Sequence, residues 1–89
     1  MADTRDRIIA ALTERFRPAS LSVTDESHLH AGHSGWREGG GTHFRVAIVA
    51  EAFAGRSRLE RHRMVNEALA DELAAGVHAL AIRAEPPAG

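Results

Sequence analysis

Residues 42–84 read THFRVAIVAEAFAGRSRLERHRMVNEALADELAAGVHALAIRA, and the period of their apolar residues changes twice. From Thr42 to Ala50 the pattern alternates. Phe44, Val46 and Ile48 fall on one face, Ala47 and Val49 on the other, which is the signature of a strand. Gly55 breaks the chain after Phe53. Ser57 and Glu60 then match a capping box, a Ser at the helix N-cap with a Glu three residues on. The spacing predicts a helix from Arg58 to Ala74. Leu59, Val65, Leu69 and Leu73 would line its buried stripe, with Arg58, Arg61, Glu67 and Asp71 outside. Gly76 supplies a C-terminal stop. From Val77 to Ala84 the alternation returns, with His78, Leu80 and Ile82 on one face and Val77, Ala79 and Ala81 on the other. If the two strands run parallel, the helix between them is a right-handed crossover.

Upstream, Asp3 or Thr4 can cap a first helix that carries Asp6 in its first turn. Ile8, Ile9, Leu12 and Phe16 recur at helical spacing, and Pro18 ends the run. Leu21 to Thr24 alternates as a short strand. Residues 28–41, HLHAGHSGWREGGG, have no apolar period and read as a long hairpin loop, of the kind that carries function. The order is therefore helix, strand, strand, helix, strand. That is an α+β fold, with helices on one face of a three-stranded mixed sheet. Residues 1–89 form a single domain with its ordered core over 4–84 and a short Pro-rich end at 85–89. No internal repeat or second domain is visible.

Composition sets the outer limits. An 89-residue chain is one small domain with a thin core, too small for a large buried active site. Its 11 Lys+Arg, all arginine, against 12 Asp+Glu give a net charge of −1. That balance argues against a domain held on nucleic acid by bulk charge, since such affinity scales with phosphates neutralised. Cysteine is absent, so the fold rests on packing alone and the chain has no thiolate of its own. Met1 to Arg7 is charged and no apolar run follows, which predicts no signal peptide. No stretch reaches the ~18–20 apolar residues of a membrane span. A cytoplasmic protein with no membrane partner is expected.

Six histidines stand out: His28, His30, His33, His43, His62 and His78. Imidazole is a common metal ligand, and His28, His30 and His33 lie within six residues. As a self-contained metal centre this cluster is the weaker reading, because a glycine-rich loop offers no preformed geometry. His78, by spacing alone, reads as a core or edge histidine of a strand. Arg56, Arg58, Arg61, His62 and Arg63 form a basic run at a helix start that could meet phosphates, although a helix spreads them around its circumference. Gly32 to Gly35 spells GxxG, the backbone clamp of KH domains, but here it lies between strands and not helices. Asp25, Ser27 and His28 are the residue types of a hydrolase triad, yet no nucleophile elbow accompanies them, and no enzyme is expected.

Several segments together resemble the BolA family: Leu21 to His28 (LSVTDESH), Thr42 to Val46 (THFRV), Phe53-Ala54-Gly55, Arg61 to Val65 (RHRMV) and Gly76 to Ala81 (GVHALA). The match is collinear from Ile8 to Ala84. The resemblance implies a KH-like, class II-like α+β fold. It also implies an adaptor that binds a monothiol (CGFS) glutaredoxin and shares a glutathione-ligated [2Fe–2S] cluster with it, in iron–sulfur maturation or iron homeostasis. On this side of the cluster the family would use the C-terminal histidine, here His78, and a hairpin residue, here His30, with His28 and His33 as fallbacks. No cluster is expected in the isolated chain, which would be a monomer or a weak homodimer. Arg61, His62 and Arg63 would touch the partner. The alternative implied by the same family is a DNA-binding transcriptional regulator of stress response and cell morphology, reading phosphates through Arg58, Arg61 and Arg63.

Overall fold

The computed structural model describes residues 3–26, 43–77 and 79–88. Helix α1 runs Thr4–Phe16. The Asp3 carboxylate caps it by accepting the Asp6 N–H at 2.8 Å. Ile8, Leu12 and Phe16, four residues apart, are its buried face. Arg17 closes it in the left-handed region (φ 46°), its N–H donating to the Thr13 carbonyl, and Pro18 prevents continuation.

Strand β1 (Ser20–Asp25) pairs antiparallel with β2 (His43–Val49), and β2 pairs parallel with β3 (Ala79–Glu85). The order across the sheet is β1-β2-β3, so β2 is central and both others are edges. Val23, Phe44, Val46, Ile48 and Ala84 are buried on the inner face, with Leu80 and Ile82 packed against them. Helix α1 packs over β1, and α2 (Arg58–Ala68) over β3. A 3-10 turn at Glu51–Phe53 carries Phe53 into the core, where its ring lies 5.0 Å from that of Phe16. The expected α+β architecture is thus present, with a mixed three-stranded sheet.

Three details differ from the sequence reading. First, the helix beginning at Arg58 does not run unbroken to Ala74. It divides at Leu69 into α2 and a short α3 (Ala70–Ala75). The Leu69 N–H is shared between the carbonyls of Val65 and Asn66, a local tightening that accompanies complete burial of both Val65 and Leu69. Second, Leu59 is outside the buried stripe and is 60% exposed. At 100° per residue it sits about 120° round the helix from Val65, so it cannot share that stripe. Third, Val77 is not part of the last strand. Its N–H donates back to the Glu72 carbonyl at 3.2 Å around Gly76 (φ 132°), closing α3 and directing Val77 into the core.

Candidate functional site

The topology gathers one end of the sheet. β1 ends there at Asp25, opposite Phe44, and β2 begins there at His43, opposite Ala79, the first residue of β3. The Glu26 N–H donates to the His43 carbonyl at 2.8 Å, and the Glu26 carboxylate accepts from Arg45 Nε at 3.0 Å. These bonds fix the two anchors from which the histidine-rich segment departs and to which it returns. Residue 78 directly precedes Ala79 in the chain. His28, His30, His33 and His78 themselves lie outside the described residues, as do the GxxG and the serine of the triad considered above. His43 is the one buried polar residue among the described ones, at 6% exposure. Its place on β2 was legible, but no local signal marked it for burial.

A second feature lies along β3. An open groove of about 670 Å³ separates its outer edge from α2. Arg58, His62 and Asn66, spaced four residues apart, form the helical wall. Arg45 and Arg83 line the strand side. Each of these two arginines lies beside an alanine in the register, Arg45 by Ala81 and Arg83 by Ala47, which leaves room for the long side chains. Arg83 holds Glu85 at 3.2 Å. No spacing in the sequence marks Arg45 and Arg83, because only strand pairing brings them beside the helix. Arg63 is absent from the groove: it is exposed about 140° round the helix from Arg58.

Arg61 has a structural role. Its Nη1 donates to the Ala84 carbonyl at 2.8 Å, and its Nε leans on the Ser57 carbonyl at 3.4 Å. Because the Glu85 carbonyl faces β2, accepting from the Ala50 N–H, the Ala84 carbonyl faces the open edge. Arg61 therefore docks the start of α2 onto an edge carbonyl that would otherwise seek water. The start of α2 is held by the expected capping box: Ser57 Oγ accepts the Glu60 N–H, and the Glu60 carboxylate accepts the Ser57 N–H, both at 3.1 Å. The Ser57 backbone N–H, then its hydroxyl, then Arg56 at 3.5 Å hold the Glu60 carboxyl below the usual carboxylate range. Among the described residues, no three His, Cys, Asp or Glu side chains gather to hold a metal ion, and no helix is long and apolar enough to cross a membrane.

The model of the family described as BolA-like protein matches residues 12–88. The chain is 51% identical to an uncharacterized protein of Sinorhizobium sp over 77 residues, 85% of this chain and 83% of that one. It is 45% identical to the DNA-binding transcriptional regulator BolA of Vibrio cholerae, over 88% of this chain and 70% of the relative. Its fold superposes on the BolA domain of SufE1 from Arabidopsis thaliana with a TM-score of 0.87 and 41% identity, covering 98% of this chain and 95% of that domain. Against the whole SufE-like protein 1 of the same plant the chain spans only 23% of the length. A match that runs from the second half of α1 past the end of β3 takes in every strand of the sheet, and on that ground this chain belongs to the BolA family.

Proposed function

We propose that this protein is a cytoplasmic, non-enzymatic adaptor that binds a monothiol glutaredoxin and completes a [2Fe–2S] cluster shared with it and with glutathione. His78 and one hairpin histidine, His30 before His28 or His33, are the ligands on this side. The observation that carries the reading is the meeting of Glu26, His43 and Ala79 at one end of the sheet. The flanks of the histidine-rich segment and of residue 78 are neighbours there, although 36 positions separate residues 43 and 79.

The donor chemistry agrees with a shared site. Iron–sulfur clusters are held chiefly by thiolates, and this chain has none. Imidazoles alone do not make such a site, but two of them can complete one whose thiols come from a partner, as in Rieske-type ligation. When bound, the cluster supplies one-electron chemistry at a potential raised by the neutral ligands. This chain's residues would hold the cluster's outer side and limit its stability in acid, because imidazole must be deprotonated to ligate.

The test is reconstitution with a CGFS glutaredoxin, glutathione, iron and sulfide, followed by visible absorption and circular dichroism. Adding this protein should change the spectrum. His78→Ala should abolish that change, and His30→Ala should weaken it. A spectrum that stays that of the glutaredoxin alone would end the proposal.

The second reading, a DNA-binding regulator, draws on the name of the Vibrio relative and on the exposed Arg58 and Arg63. It is weakened by the engagement of Arg61 with Ala84. It requires DNA affinity that falls steeply with salt and is lost on replacing Arg58 and Arg63 with Ala. Affinity that ignores salt would remove it.

A further inference from the structure

We propose that the open edge of β3 takes up an extended, acidic peptide segment as a fourth strand. The proposal does not depend on the cluster reading.

Backbone alternation comes first. In a strand paired on one side only, every second residue turns its N–H and C=O away from the partner. Glu85 faces β2, so Ala84, Ile82 and Leu80 face outward. Arg61 occupies the Ala84 carbonyl. Among the described residues no such cap stands at Ile82 or Leu80, which leaves two consecutive outward residues with two donors and two acceptors along the floor of the groove. An exposed row of this kind is a template for another strand.

Side chains come second. A strand laid beside Leu80 and Ile82 would pass between Arg58, His62 and Asn66 on the α2 wall and Arg83 on the strand side. Ala79 and Ala81 are small and exposed, so neither fills the space. Glu85 is already held by Arg83, and Glu26 by Arg45. Arg58 is exposed and has no acidic partner among the described residues. The groove therefore offers cationic donors and calls for carboxylates.

Other occupants fit less well. A second copy pairing β3 to β3 about a two-fold axis would bring two equally basic grooves together, a like-charge arrangement that costs affinity. Among the described residues no aromatic side chain lines the groove, so it offers the bases of a single-stranded nucleic acid no stacking platform. The alternating N–H and C=O groups match a peptide backbone.

The experiment uses the whole chain, without iron, and a capped hexapeptide of alternating glutamate and valine, followed by amide NMR and hydrogen exchange. Binding should saturate and slow exchange at the Leu80 and Ile82 amides. The same peptide methylated on every backbone nitrogen should not bind, nor should a lysine–valine counterpart. Arg58→Glu places a carboxylate at an exposed position in the first turn of α2, where the helix dipole tolerates it, and should weaken binding about tenfold. Failure to saturate would overturn the proposal. So would binding that survives backbone methylation or Arg58→Glu. Protection of these two amides by an oligonucleotide or by self-association, without peptide, would assign the groove to that occupant instead.

Discussion

The two edges of the sheet use one device and reach different results. On β1 the Glu26 N–H faces β2, so the Val23 carbonyl faces outward by alternation, and Arg5 of α1 caps it at 2.7 Å. On β3 Arg61 of α2 caps the Ala84 carbonyl at 2.8 Å. In both cases an arginine near the start of a helix bonds the strand beneath that helix. The position of the cap differs. Val23 is fourth of the six residues of β1, so its cap divides that edge into single outward residues. Ala84 is sixth of the seven residues of β3, so its cap stands at the end and leaves Leu80 and Ile82 contiguous. Where a cap falls along a strand decides whether an edge is closed to pairing or only shortened.

The largest expected effect removes what ties the two sides together. Phe16 ends α1, over β1, and Phe53 lies just before α2, over β3; their rings are in contact. Phe53→Ala should cost about 3–5 kcal/mol in urea unfolding. Exchange at both edges should then rise together. A loss below ~1 kcal/mol would mean that the halves are stabilised independently, and the comparison would have to be made domain half by domain half.

A smaller effect separates the edges. Arg5→Met and Arg61→Met each remove a charged hydrogen bond to an edge carbonyl while keeping much of the side-chain bulk. Each should cost about 1–3 kcal/mol. Arg61→Met should also lengthen the open stretch of β3 and tighten binding of the glutamate–valine peptide. Arg5→Met should leave that binding unchanged. Equal effects of the two variants on peptide affinity would break the distinction drawn between the edges.

The smallest effect is a pH dependence confined to the β3 side. Glu60 has its folded carboxyl held below the unfolded value, so its contribution is present above the unfolded carboxylate range and is lost as pH falls through the folded value. Helical circular dichroism should fall only in acid below the usual carboxylate range, and amides at the start of α2 should exchange faster there. Ser57→Ala should cost about 1 kcal/mol at neutral pH and flatten the acid response. The start of α1, capped by Asp3 through a different pair, should keep its amide protection in that variant.

Much of this was legible in the sequence because the signals are local. The alternation of Phe44, Val46 and Ile48 identified the central strand and its inner face. Ser57 and Glu60 announced the start of α2 three residues apart, and the bonds are there. What was missed depends on contacts between elements. The break at Leu69 lies in Ala68-Leu69-Ala70, which has neither glycine nor proline to mark it. Leu59 was placed inside by its chemistry, whereas its angle around the helix puts it outside. Arg61 read as a surface charge until β3 was seen to lie within its reach. Arg45 and Arg83 become neighbours of α2 only once β3 is paired to β2. The loop histidines and His78 were read from spacing and resemblance, and they lie outside the described residues.

The parallel pairing of β2 with β3 also has a consequence for how the chain reaches this state. The 36 positions between residues 43 and 79 mean that the central strand obtains its second neighbour only by closing a long loop. Loop-closure entropy must be met before that pairing returns any energy, which places the folding of such topologies on a slower scale than that of helical bundles. The helices α2 and α3 lie inside that loop, and their early formation would shorten the effective distance to be closed. The capping box at Ser57, by favouring that helix, would therefore also favour closure of the sheet.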